Sequence, residues 1–145
     1  MNIHLLENLT TVLQSSISPV ALISGVGLLI LSMSNRLGRV MDRLRALLEQ
    51  RRNANAPDTR ADAQITVLHR RADILRGAIT AAAVCVLLAS TLVLVLFTMA
   101  VFGGRLEMLV IALFASSILS LIVSLVLFIL DLNQSLRAVE EELRR

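Results

Sequence analysis

Three long runs of apolar residues divide the chain, and none of them contains a charged side chain. They cover residues 18–34, 77–102 and 108–130. A helix needs about 20 mostly apolar residues to cross the hydrocarbon core of a bilayer. The pattern therefore predicts an all-α integral membrane protein with three transmembrane helices.

The helical spacing of apolar residues continues beyond these runs into charged sequence. At 1.5 Å per residue, the extensions of the first two helices each reach about 20–25 Å past the membrane. The spacing predicts a helical hairpin over residues 35–76 and a C-terminal helix over 131–145, which together form a bundle. The seam residues are Leu37, Val40 or Met41, Leu44, Leu47 or Leu48, Ala61, Ile65, Leu68, Ala72, Leu75, Leu132, Leu136, Val139 and Leu143.

Turn-forming residues mark the connections between these helices. Residues 53–58, rich in Asn and containing Pro57, predict the loop of the hairpin, and Gly103-Gly104 predicts a tight turn over 103–107. Residues 1–17 have amphipathic spacing and are expected to lie in the membrane interface. Ser18-Pro19 suits the start of a helix, with a Pro kink inside one longer helix as the alternative.

The positive charges of the chain lie almost entirely on one side of the predicted spans. All 14 basic residues are Arg, and 13 of them lie between the first two runs or after the third. Cytoplasmic loops carry such an excess. The N-terminus is therefore expected outside, and the hairpin and the C-terminus in the cytoplasm. Insertion into the membrane explains the basic balance better than nucleic-acid binding does, with anionic lipids at the cytoplasmic face as added partners.

The first predicted span is unusually rich in small and polar residues. By helical spacing Ser24, Gly27, Leu31, and Ser34 or Asn35 share a face. Small residues usually serve close helix packing in membranes. In an oligomer the same face would line a pore, with Leu31 as a hydrophobic gate.

A basic stripe continues this helix toward the cytoplasm. Arg36, Arg39 and Arg43 follow one another at spacings of three and four. Snorkelling to lipid headgroups is the plainer interpretation. The functional one is a set of basic rings at the inner mouth of a pore, which would attract anions.

Acidic residues near the membrane ends are few. Glu7 and Glu107 are the single acids of the two outer segments, and each is either solvated or part of an outer acidic ring. Asp131 ends the third span, where an unpaired carboxylate is costly. It is expected to form a structural ion pair with Arg36 or Arg76, with a proton or cation site as the minority alternative.

Serines on the third span share a stripe with Asp131. They are Ser117, Ser120 and Ser124, and serines at this spacing usually join helices by hydrogen bonds. The sequence contains no recognisable enzyme motif, and its two histidines, His4 and His69, are predicted on opposite sides of the membrane. We therefore expect no enzyme activity, no cofactor and no metal site.

The stretch Ile17–Leu29, followed by Asn35-Arg36-Leu37 and Arg43, resembles a bacterial membrane-protein family catalogued only as a domain of unknown function. The resemblance covers nearly the whole chain. It implies a small protein of the bacterial inner membrane with a recurrent Ser-Pro first helix. It supplies no activity, cofactor or catalytic residue.

These patterns lead to a homo-oligomeric ion channel as the expected function, with inorganic ions passing along the first helix. Three helices are too few to enclose a polar route, so several copies would be needed. The alternative is a non-conducting scaffold or regulatory subunit, whose cytoplasmic helices bind a partner protein.

Overall fold

The computed structural model of the chain contains three α-helices. α1 spans Ile3–Asn53, α2 spans Thr59–Phe102 and α3 spans Glu107–Leu143. The structure describes residues 3–53, 59–102 and 106–143, and within that part it contains no strand. By length and composition all three helices are able to cross a membrane. The prediction of an all-helical fold with three helices long and apolar enough to span a membrane is confirmed for the described residues.

Helix α1 does not begin at Ser18-Pro19, because it passes through Pro19 without interruption. Proline lacks the backbone N–H that would bond to the carbonyl four residues earlier. Helices in membranes tolerate this loss because neighbouring groups compensate for it. The alternative of one longer helix that contains the proline therefore describes α1.

Several expectations concern residues outside the described part. They are the loop over 54–58, the turn over 103–105, the side chains of residues 1–13 (Glu7 included) in the amphipathic segment, and the seam side chains of Ala61, Leu136, Val139 and Leu143.

Buried positions recur at heptad spacing along two of the helices. Because seven residues make about two turns, such positions stay on one face of a helix. On α1 they are Pro19, Val26, Met33 and Val40, and on α3 they are Ser117, Ser124 and Asp131. The buried face of α2 consists mainly of small residues: Ala72, Ala78, Ala82, Cys85 and Ala89.

The chain divides into two compact units, and each helix contributes to both. The first unit contains α1 up to Leu29 together with Ala81–Ile122. Its buried residues include the small side chains of Ala82, Cys85 and Ala89 on α2 and the fully buried Ser117 on α3. The Ser120 hydroxyl donates to the Ala81 carbonyl at 2.7 Å, so a hydrogen bond joins α3 to α2.

The second unit contains Ile30–Thr80 and the part of α3 from Val123 onward. A cluster of apolar side chains forms its centre: Val40, Leu44, Leu68, Ala72 and Leu75, with Leu37, Met41, Leu47, Ile65 and Phe128 packed around it. The buried Ser124 hydroxyl donates to the Ala78 carbonyl at 2.8 Å. Gly77 lets α3 lie close, since a Cβ there would be 3.4 Å from Cδ1 of Leu127.

An ion pair links the end of α1 to the start of α2 within this unit. Arg51 donates a hydrogen bond through Nη2 to Oδ2 of Asp62 at 3.2 Å, and its Nε lies 3.0 Å from Oδ1 without a hydrogen bond. The pair therefore consists of one hydrogen bond and one close contact between opposite charges. It holds together the two helices that the loop over 54–58 connects.

Candidate functional site

The most constrained polar group in the described structure is the carboxylate of Asp131. Its side chain is fully buried where the apolar run of α3 ends. Arg36 of α1 donates through Nη2 to Oδ2 at 2.9 Å, and Arg71 of α2 donates through Nε to Oδ1 at 3.4 Å. Each helix of the second unit therefore contributes one member to an Arg–Asp–Arg triad.

The arginines of the triad are only partly withdrawn from solvent. The side chain of Arg36 is 24% exposed and that of Arg71 is 16% exposed. The Arg36 guanidinium also lies over the ring of Phe128, 5.5 Å from its centroid, within the range of a cation–π contact. Because a buried charge needs partners to offset its lost hydration, the triad satisfies Asp131 while leaving both cations an outward side.

A basic cleft opens beside this triad. Its volume is about 280 Å³, and it lies wholly within the second unit. All three arginines of the basic stripe line it, so they face α2 and α3 of their own chain. The lining residues are Arg36, Arg39, Val40, Arg43, Leu68, Arg71 and Ser135.

The five pore-lining candidates are exposed on the surface of the protomer. They are Ser24, Gly27, Leu31, Ser34 and Asn35. A Cβ added at Gly25 or Gly27 would meet no atom within 4 Å, so these glycines do not serve close packing inside the chain. The Ser24 hydroxyl donates to the Val20 carbonyl of its own helix at 3.3 Å.

Within the second unit, the basic stripe does not continue the exposed face that carries Leu31 and Asn35. At about 100° per residue, Arg36 and Arg43 lie about 120° and 100° from the midpoint of Leu31 and Asn35, and Arg39 lies about 60° from it. The residue that does continue it is Asp42, seven positions after Asn35, with a side chain 77% exposed. The face that carries Leu31 and Asn35 therefore leads to the acidic Asp42, which the sequence interpretation does not identify.

The other predicted residues lie apart from the triad. Arg76, the second partner considered for Asp131, is exposed, and Arg71 contacts the carboxylate instead. Glu107 is exposed in the first turn of α3. His69 is exposed and lies 3.5 Å from Asp73 on the next turn of α2. Among the described residues, no three His, Cys, Asp or Glu side chains are grouped to hold a metal ion.

Arg71 and Ser135 are the residues of the cleft that the sequence interpretation does not identify. Of the two, Arg71 also contacts Asp131. It lies three residues after the buried Leu68 and seven before the buried Ala78. That spacing places it on the face of α2 that packs, where an arginine needs a partner. The heptad spacing from Arg71 to Ala78 therefore indicates a packed position, although the predicted apolar seam passes through the neighbouring Ala72.

Comparisons with known proteins identify the family of the chain. No curated protein and no solved structure matches it. A family model described as "Protein of unknown function (DUF2721)" matches residues 16–141, which include the triad and every residue that lines the cleft. The chain therefore belongs to the DUF2721 family.

Proposed function

We propose that the protein is a homo-oligomeric ion channel of the bacterial inner membrane, with α1 of each copy facing the pore. The observation that carries the proposal is the face of α1 with Ser24, Gly27, Leu31, Ser34 and Asn35, all of which are exposed on the protomer. Val26 and Met33 on the opposite face are buried. A helix that is packed on one face and small and polar on the other suits a position between its own bundle and a narrow aqueous route.

The amount of burial within one protomer supports assembly into an oligomer. In the most apolar 18-residue stretches of α1, α2 and α3, 17%, 17% and 11% of the residues are buried inside the chain. The remaining surface is left for lipid or for other copies. Lipid suits the leucine-rich exposed faces of α2 and α3, whereas the small residues of α1 suit contacts between helices.

The direction of insertion is part of the proposal. The charge rule orients the arginine-rich unit toward the cytoplasm, with the N-terminus outside and the C-terminus inside. In that orientation Leu31 forms the hydrophobic constriction and Asp42 stands below it at the inner mouth, with Arg39 and Arg43 at its side, where they line the cleft. Arg36 contributes less to the mouth, because its charge is offset by Asp131 2.9 Å away.

Electrical recording from the purified protein tests the proposal. Wild-type protein in planar bilayers is expected to give discrete currents in potassium chloride gradients. Leu31→Ser removes an apolar side chain that is 58% exposed and should raise the open probability, because a polar constriction stays wet. The matched control is Leu87→Ser on α2, 66% exposed, which should leave the currents unchanged. Silence from an oligomer of confirmed size would contradict the proposal.

Two exposed apolar residues in the arginine-rich unit favour the scaffold as the second candidate. Leu48 on α1 is 45% exposed and Val67 on α2 is 57% exposed, although both lie in charged segments. Such residues suit the docking of an amphipathic partner helix. Cross-linking in native membranes followed by mass spectrometry distinguishes the candidates: a foreign protein in fixed ratio favours the scaffold, and self-products alone favour the channel.

A further inference from the structure

We infer that the basic cleft of the second unit is a binding site for a phosphate-type anion, formed by Arg36, Arg39, Arg43, Arg71 and the Ser135 hydroxyl. The site lies within one protomer, so it does not rest on the channel proposal. No residue of the pore-lining face belongs to it.

The charge balance of the cleft favours an anion of more than one negative charge. Four guanidinium groups line it, and the described lining contains no carboxylate. Asp131, just behind the wall, contacts two of the four. The site therefore keeps an excess of three positive charges over this single acid. Among the carboxylates whose side chains the structure describes, a set that excludes those after Ser135, none lies within 4.0 Å of Arg39 or Arg43.

The triad holds two of the cations in position before a ligand arrives. Each guanidinium carries five N–H donors in a rigid fork, and the contacts with Asp131 use one donor from Arg36 and one from Arg71. Both groups therefore keep donors for the cleft, while the buried carboxylate limits their rotation. Less entropy is lost on binding when the donors are already oriented.

The shape of the donors identifies the class of ligand. Planar guanidinium forks match the paired oxygens of phosphate groups, and arginine clusters are the usual means of recognising them. A volume of about 280 Å³ is far larger than a halide ion requires. Val40 and Leu68 add an apolar wall, which suits a phosphoester with an organic part.

Two sources would supply this chemistry, namely the headgroup of an anionic phospholipid and a soluble phosphate compound. The cleft lies beside the ends of two apolar runs. Arg36 is the second residue after the first run, which ends at Ser34, and Asp131 directly follows Leu130, the last residue of the third run. From Arg36 to Arg43 the helix rises about 10 Å. That distance covers the headgroup layer of one leaflet, roughly 5–8 Å deep, and the water next to it.

The experiment compares two variants of the full chain that lose the same charge from the same helix. Arg39→Gln/Arg43→Gln removes two cleft arginines and leaves the Asp131 triad intact. The control, Arg45→Gln/Arg52→Gln, removes two exposed arginines outside the cleft. Far-UV circular dichroism and thermal unfolding establish that both variants fold.

Two binding measurements are then made on each protein. Inorganic phosphate is titrated calorimetrically into protein in phosphatidylcholine nanodiscs. Spin-labelled phosphatidylglycerol is compared with spin-labelled phosphatidylcholine for its association with protein in vesicles. In at least one measurement wild-type protein should bind, the cleft variant should bind about tenfold or more weakly, and the control variant should match wild type.

Each outcome decides the inference. Phosphate binding that is lost only in the cleft variant supports the site with a soluble ligand. A preference for phosphatidylglycerol that is lost only in the cleft variant supports it with a lipid ligand. Equal losses in the two variants would show a general surface charge and overturn the inference. Absence of binding in both measurements would overturn it as well.

Discussion

Replacing Asp131 with Asn should destabilise the protein more than any other loss of one charge among the described residues. The side chain is fully buried, and both carboxylate oxygens accept hydrogen bonds from arginine. Asn is nearly isosteric but neutral, so Arg36 and Arg71 would keep their charges without the offsetting anion. Breaking a buried pair from one side costs about 3–5 kcal/mol.

The geometry places the expected loss at the lower end of that range. Arg36 and Arg71 are 24% and 16% exposed, so water partly solvates each cation after the anion is removed. The contact with Arg71 is also long, at 3.4 Å, and contributes less than the 2.9 Å contact with Arg36. We expect the free energy of unfolding to fall by about 3 kcal/mol.

The assay is reversible unfolding in mixed micelles of dodecyl maltoside and dodecyl sulfate, followed by far-UV circular dichroism. Asp73→Asn is the matched control, because Asp73 is 61% exposed and its contact with His69 is 3.5 Å long. It should change the free energy of unfolding by less than about 1 kcal/mol. Equal effects of the two substitutions would refute the interpretation that the buried Asp131 carboxylate is needed to offset the charges of Arg36 and Arg71.

A triple variant tests whether the loss of stability in Asp131→Asn comes from uncompensated positive charge. Asp131→Leu/Arg36→Met/Arg71→Met removes the whole triad and leaves no charge uncompensated. Replacing a complete buried network with apolar residues is often neutral or stabilising. The triple variant should therefore be more stable than Asp131→Asn alone. A triple variant that is less stable than the single one would mean that the triad stabilises the fold by its own attraction.

Three further predictions concern packing and the exposed face of α1. Ser124→Ala should lower the free energy of unfolding by about 0.6 kcal/mol, and at most about 1.7, because one hydrogen bond between helices is lost; Ser116→Ala, which is exposed, should leave the same unfolding curve unchanged. Met33→Ala leaves a cavity at a fully buried position and should cost about 2 kcal/mol in that assay, whereas Leu31→Ala should cost much less. Gly27→Ala should not lower the free energy of unfolding of the protomer, since a Cβ there would meet no atom within 4 Å, yet should lower the conductance of the oligomer; an unaltered conductance would remove Gly27 from the pore.

The number and type of the helices, and the end of α1, follow from sequence because each depends on local signals, whereas the start of α1 lies well before Ser18-Pro19. The length of the apolar runs predicts the spans. The helical spacing of Leu37, Val40 and Leu44 predicts that α1 continues into the charged segment, and it ends at Asn53, where the sequence becomes rich in turn-forming residues. The pairing of Asp131 with Arg36 is also within reach of sequence reasoning. Both residues lie at the end of an apolar run, where burial makes a partner necessary.

The direction in which residues face depends on packing between helices, which periodicity alone does not give. The spacing of Ser24, Gly27 and Leu31 places them on one face, but equally suits a packed or an exposed face. Likewise the spacing of the basic stripe groups its members without showing that they face a cleft. The position of Arg71 in that cleft depends on how α2 packs against α1 and α3.

The claim that α1 lines an aqueous pore is tested most directly by cysteine accessibility during electrical recording. On a Cys85→Ala background, Ser24→Cys and Gly27→Cys are introduced on α1, and Leu87→Cys and Leu119→Cys at exposed positions of α2 and α3. A charged, water-soluble thiol reagent should reduce the current through the two α1 variants and leave the other two unchanged. Inhibition at Leu87→Cys or Leu119→Cys, with none at α1, would contradict the account.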